Sequence, residues 1–291
     1  MSGATNAGPK SASAPTATRL RQIALVTKDL DRSQRLLTHV LGSEVIYEDA
    51  AVSQWGLKNC LIPLGGDLIE LVAPFRDGTT AGRLLDKRGE GGYMIIMQTE
   101  DAKKRREYIE AKGLGRVIFS HEHGNVVCVQ YHPRGIKGGM MPELDSHASE
   151  PNNPRPLLSR FSPCWHACGS DHKVYYPGMK RSGHLTLEGC VLRLQPGDTD
   201  HEAAARQWEE IFGVTRSRDL LAFTNARLGF VGGRDGQPDG LLSITIGVNG
   251  SDKLADIVAR AKEAGVYADG RLAMCGVQWN LVLKGHGPAK L

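Results

Sequence analysis

The sequence predicts an α+β protein built by internal duplication, and three observations carry this. A strand, a helix, a glycine and further strands follow one another four times, with the helix-stopping glycines at 42, 113, 213 and 265. The repeat is about 50 residues long and puts one helix at the same point of each unit, as a propeller or solenoid would not. A proline-rich stretch without periodicity separates the second unit from the third. Each sheet is expected to be helix-covered on one face, leaving its concave face to line a cleft.

The elements follow in order. Leu20–Lys28 (LRQIALVTK) is a strand rich in Ile, Leu and Val. Asp29 and Asp31 offer N-caps, Leu36, Leu37, Val40 and Leu41 share one helical face, and Gly42 fits a left-handed cap. Strands are expected at Glu44–Glu48, Trp55–Pro63 and Leu68–Val72. The second unit has a strand at Gly92–Thr99 and a charged helix at Asp101–Lys112 with Tyr108 and Ile109 on its buried side. Its later strands are Arg116–Ser120, Val126–Tyr131 and Gly139–Leu144. The third has a strand at Leu187–Leu194, a helix at Asp200–Phe212 with Trp208, Ile211 and Phe212 at core spacing, and strands at Leu220–Thr224 and Arg227–Val231. The fourth has a strand at Leu241–Val248, a helix at Asp252–Ala264 capped by Ser251, and final strands within Arg271–Leu283.

Between the halves, from Asp145 to Gly183, prolines 151, 154, 156, 163 and 177 are expected to break any helix or strand. The organisation is therefore a disordered tail over residues 1–18, a first module over 19–146, a linker or covering loop over 147–184, and a second module over 185–291.

With 291 residues and a formal charge of +4, the chain can bury a substantial core. Its basic residues are dispersed, which gives no support to nucleic-acid binding. No apolar run approaches membrane-spanning length. The N-terminal MSGATNAGPKSASAPTATR lacks the apolar centre of a signal peptide. The expected compartment is the cytoplasm, with the six cysteines as free thiols. Gly65-Gly66, Gly91-Gly92 and Gly232-Gly233 lack phosphate-loop spacing and read as turns, so no nucleotide cofactor is expected.

Two apolar strands each carry one acid: Glu70 in Leu68–Val72 (LIELV) and Glu143 in GGMMPEL. Facing one cavity, two such carboxylates would raise each other's pKa, and one could take a proton α to a carbonyl. Solvent-facing acids at strand ends are the other reading.

The first half resembles the vicinal oxygen chelate superfamily, which includes glyoxalase I, methylmalonyl-CoA epimerase, extradiol dioxygenases and fosfomycin- or bleomycin-resistance proteins. The resemblance lies in RQIALVTKDLDRS at the first strand and helix start, IELVAP at the fourth strand, Gly91-Gly92 opening the fifth, and HPRGIKGGMMPEL at the eighth, and it covers Leu20–Asp145. It implies tandem βαβββ units, two to a module, each module a half-open barrel with a metal on its inner face. This is the glyoxalase/bleomycin-resistance/dihydroxybiphenyl-dioxygenase fold. The family's four ligand positions fall on Gln22, Glu70, Met94 and Glu143. A thioether is a poor ligand for hard divalent ions. Gln22, Glu70 and Glu143 are thus the implied metal ligands, for an ion such as Zn, Mn, Mg or Ni. The two-His-one-carboxylate set of an iron oxygenase is missing. In the second half Gly189 stands where Gln22 does, and no carboxylate lies on RLGFVGG or QWNLVL, so this module reads as degenerate.

The resemblance implies a metal-assisted isomerase, epimerase or lyase that abstracts a proton next to a carbonyl of a small-molecule substrate. Glu143 and Glu70 would be catalytic, with Gln22, Met94, Trp55 and His123 contacting substrate. A metal-free binding or resistance protein is the alternative, and a ring-cleaving dioxygenase is disfavoured by the absent histidines. The paired modules leave a homodimer open. Pleating is expected to turn Tyr93 away from the face of Met94. His121 and His123 could share a strand face or lie in a solvated loop. Cys164, His166, Cys168 and His172 are four soft or borderline ligands within nine residues. They read either as a zinc staple on the linker or as coincidental residues in a loop covering the cleft.

Overall fold

A computed structural model of the chain describes residues 17–285. The expected tail lies outside them except for positions 17 and 18, and Thr18 already begins the first strand. The first unit comprises β1 (Thr18–Val26), α1 (Leu30–Leu41), β2 (Leu57–Leu64) and β3 (Asp67–Pro74). A helix α2 (Thr80–Arg88) joins it to β4 (Gly91–Thr99), α3 (Ala102–Lys112), β5 (Val117–His123), β6 (Val126–Tyr131) and β7 (Met141–His147). These strands form one sheet in the order β2-β3-β1-β4-β7-β6-β5. β1 and β4 are antiparallel neighbours at its centre, each flanked by the parallel last strand of its own unit.

Local chemistry sets the predicted helices. Asp29 accepts a hydrogen bond from the Arg32 amide, and Gly42 ends α1 at φ +63°, a conformation that glycine adopts without a Cβ penalty. Asp101 caps α3 in the same way through Lys104. Two expectations fail for tertiary reasons, and one helix adds to the expected elements. Glu44–Glu48 keeps only the bridge Tyr47–Leu61, because Ile46 and Tyr47 pack under the linker and Glu44 pairs with Arg181. The segment 80–88 is helical although it buries only Ala81 and Leu85, too weak a stripe to read as periodic. The linker holds two helices, α4 (Trp165–Cys168) and α5 (His172–Arg181), with Pro177 inside the second. Tyr175 and Met179 of α5 pack with Leu61, Leu68, Cys164 and Cys168. That burial outweighs the hydrogen bond a proline removes.

The linker lies on the sheet face turned away from α1 and α3. Arg19 pairs with Asp67 at 2.7 Å and donates to the carbonyls of Ser159 and Arg160. Arg21 donates to Ser162 Oγ. At Gly66 a Cβ would stand 1.5 Å from the Arg160 carbonyl oxygen, so only glycine admits this approach. The linker thus closes one end of the inner face and leaves the other open.

The second module repeats the pattern with β8 (Leu185–Arg193), α6 (His201–Phe212), β9 (Thr215–Ser217), β10 (Leu220–Ala222) and β11 (Arg227–Val231). It continues with β12 (Gly240–Asn249), α7 (Ser251–Glu263), β13 (Tyr267–Ala268), β14 (Arg271–Met274) and β15 (Val277–Lys284). Its order is β13-β14-β15-β12-β8-β11-β10-β9. Ser251 is the first helical residue rather than the cap, which is Gly250. The four repeat helices bring both modules into one core. Arg105 of α3 donates to the Ile211 carbonyl at the end of α6 at 2.8 Å, and Arg260 of α7 to the Val40 carbonyl of α1. Among the described residues no helix is long and apolar enough to cross a membrane. All six cysteines are free and buried.

Candidate active site

Alternation along the central strands sends one residue in two to the inner face. Glu70 and Val72 of β3, Met94 and Ile96 of β4, Cys128 and Gln130 of β6, and Met141 and Glu143 of β7 line one cavity of about 640 Å³. Gln22 joins them from β1 and Trp55 from the 3-10 turn before β2. The cavity is within the range that takes a small molecule. Its described lining contains no Lys or Arg.

Tyr93 corrects the pleating expectation, since it lines the cavity beside Met94. Ala24 pairs with Met94 but Leu25 pairs with Gly92, so Tyr93 is an extra residue on β4. Such a bulge turns neighbouring side chains to one face.

Glu70 accepts hydrogen bonds from Gln22 Nε2 at 2.8 Å and Asn59 Nδ2 at 2.6 Å. Burial raises its pKa to about 7, against the pull of the Asn59 hydrogen bond. Glu143 accepts from Gln130 Nε2 at 2.7 Å. Burial, and then the neighbouring Asp145, raise it to about 8. Burial likewise raises Asp145 to about 7. The strand β7 runs three residues past its expected end at Leu144. Asp145 and His147 therefore continue the inward row of Glu143, beyond the strand end expected at Leu144.

His123 falls outside the lining and is exposed at the end of β5. His121 lines the mouth instead, its ring 6.2 Å from that of His166. Of the two readings of Cys164, His166, Cys168 and His172, their placement favours the covering loop over the zinc staple. Cys164 and Cys168 are buried in the small core under the linker, and His172 packs on Tyr175 and Tyr176. His166 leaves them for the sheet, where a ring nitrogen lies within 4.8 Å of Cys128 Sγ and an Asp145 oxygen.

The position where the resemblance implies a metal, at Gln22, Glu70, Met94 and Glu143, fits an ion poorly as arranged. The Gln22 amide donates to Glu70, Asn59 occupies its other oxygen, and Gln130 occupies Glu143. At the fourth position Met94 offers only a thioether. Amide side chains thus hold both acids.

By its fold and this inward carboxyl pair the first module is similar to the glyoxalase-like domains of the vicinal oxygen chelate superfamily. The family model described as a glyoxalase-like domain matches residues 20–148. Among solved structures, a methylmalonyl-CoA epimerase from Streptomyces coelicolor in complex with 2-nitronate-propionyl-CoA is 24% identical. It aligns with 46% of this chain and 100% of its own, at a TM-score of 0.41. The epimerase from Mycobacterium tuberculosis is 22% identical over 48% of this chain and 93% of its own, also at 0.41. A hypothetical protein from Staphylococcus aureus is 11% identical over 92% of this chain and 99% of its own at a TM-score of 0.55, a likeness of fold alone. No curated protein matches the chain.

Proposed function

We propose that the first module is an enzyme that moves a proton on a carbon next to a carbonyl of a small molecule, as an isomerase, epimerase or lyase. The observation that carries this is the difference between its two buried carboxyls. Glu70 accepts from two amides, which favours its anion, and Glu143 lies beside Asp145, which favours the proton. Glu70 is then the base and Glu143 the acid. Gln22 holds the base in place through its amide rather than polarising the substrate. Tyr93 supplies that polarisation. Burial, and then Glu70 and Glu143, raise its phenol to about 12, so it stays a hydrogen-bond donor for a developing enolate oxygen. Trp55 and Met94 give the substrate an apolar wall. With three carboxyls (Asp49, Glu70 and Glu143) and no Lys or Arg along the described lining, a neutral reacting end is favoured over a carboxylate or phosphate.

Exchange of α-protons in deuterated water, followed by NMR over a panel of 2-oxoaldehydes, hydroxy ketones and acyl thioesters, tests this. Glu70→Gln is expected to slow exchange about 10²–10⁴-fold, the usual range for general acid–base catalysis. Unchanged exchange in both Glu70→Gln and Glu143→Gln would overturn the roles. The amide-satisfied carboxyls also suit the second reading, a metal-free binding protein, for which calorimetry would find a ligand that undergoes no exchange.

A further inference from the structure

Behind the carboxyl pair, where the linker meets the sheet, buried polar atoms without partners collect in one place. Asp145 Oδ1, His166 Nε2, His147 Nδ1, Arg21 Nε and both amide atoms of Gln98 are buried with no hydrogen-bond partner. Gln98 and Asp145 are register partners on β4 and β7, and Cys128 and Asp145 on β6 and β7. The His147 and His166 rings lie 6.3 Å apart. Unpaired buried polar atoms cost free energy, and native proteins hold few of them. Several facing one another mark the place of a missing partner.

We propose that Cys128, Asp145 and His166 bind a zinc-class divalent cation between the inner face of the first sheet and the linker. Their ligand atoms all lie within 4.8 Å of one another. A tetrahedral site with bonds of about 2.0–2.3 Å requires roughly 3.5 Å between ligands, so closure takes side-chain shifts of about 1 Å. A thiolate, an imidazole and a carboxylate suit zinc better than magnesium or calcium. His166 has a hydrogen bond with the Val127 backbone, while its Nε2 has no partner. Fixing one ring nitrogen on the backbone presents the other to a metal. Asp145 makes no ion pair among the described residues, because Arg21 is turned to Ser162.

The site shares no residue with Gln22, Glu70, Met94 and Glu143. Cys128 and His166 also line the cavity, so a fourth coordination position opens toward bound substrate, with Glu143 beside it. Asp145 then gives its carboxylate to the ion rather than sharing a proton with Glu143. Two ligands come from the sheet and one from the linker, so the ion also fastens the linker to the module. Its test is separate from that of the proton-transfer reading, because metal binding is measured without substrate.

The test is elemental analysis of the full chain purified without chelator, followed by replacement of the metal with cobalt(II). Stoichiometric zinc is expected, and the cobalt form is expected to show tetrahedral d–d absorption with a thiolate-to-metal charge-transfer band. Cys128→Ser and His166→Gln should lose the bound metal, and Glu70→Gln should keep it. Failure of added zinc or cobalt to bind tightly, a spectrum without the thiolate band, or loss in Glu70→Gln with retention in Cys128→Ser would each overturn the proposal. Circular dichroism checks the fold of each variant. If Cys128→Ser does not fold, His166→Gln and the thiolate band decide.

Discussion

Glu70 receives two amide hydrogen bonds while Glu143 shares its strand face with Asp145, and this difference sets the pH behaviour. Exchange should rise as Glu70 ionises through about 7 and fall as Glu143 loses its proton near 8, a bell-shaped profile. Stability follows the opposite sign from most carboxylates. The folded-state values of these acids lie above the ordinary 4.5, so the folded chain binds more protons than the unfolded one in that window. Their contribution is complete below about 4.5 and is lost as pH rises through about 7 and 8. Urea midpoints of chelator-treated protein at pH about 5 and about 8 should therefore fall for the wild type and fall less for Glu143→Gln. An equal fall in both would contradict the buried, proton-favouring setting of Glu143. The two acids themselves were legible, since each is a lone carboxyl in an apolar strand. Asp145 was not, because no local pattern marks how far β7 continues beyond Leu144.

Strands and helices were legible where short-range chemistry fixes them. The caps at Asp29, Gly42, Asp101 and Gly113 and the apolar stripes of α1 and α6 place their elements closely. Where tertiary packing overrides local preference, the reading fails: Pro177 sits inside α5 because Tyr175 and Met179 have a core to join. The bulge at Tyr93 belongs with these, as it depends on how β4 pairs with β1. Docking of the linker rests on the bare backbone of Gly66, which leads to a prediction. Gly66→Ala should force the Arg160 carbonyl away, cost about 1–3 kcal/mol as overpacking does, and speed proteolytic cleavage within residues 155–183. Cleavage at the wild-type rate would show that the linker does not depend on this approach.

Both modules contribute to one core, so the molecule is expected to unfold in a single transition. Arg105 spans the junction, donating to the Ile211, Glu209 and Glu210 carbonyls at the C-terminal end of α6, where a cation also meets the helix dipole. Arg105→Met should destabilise the protein by about 1.5–3 kcal/mol, the range for charged hydrogen bonds. Calorimetry of this variant should show one lowered transition, and two separated transitions in the wild type would argue against a shared core. The repeat, the caps, the strands that carry Glu70 and Glu143 and the position held by Met94 were determined by the sequence alone, because periodicity, capping and glycine placement act over a few residues. Tertiary structure decided that Tyr93 turns inward, that His123 stays outside and that His166 reaches Cys128 and Asp145. Each depends on strand register or on the docking of a distant segment, and such contacts leave no periodic trace in the chain.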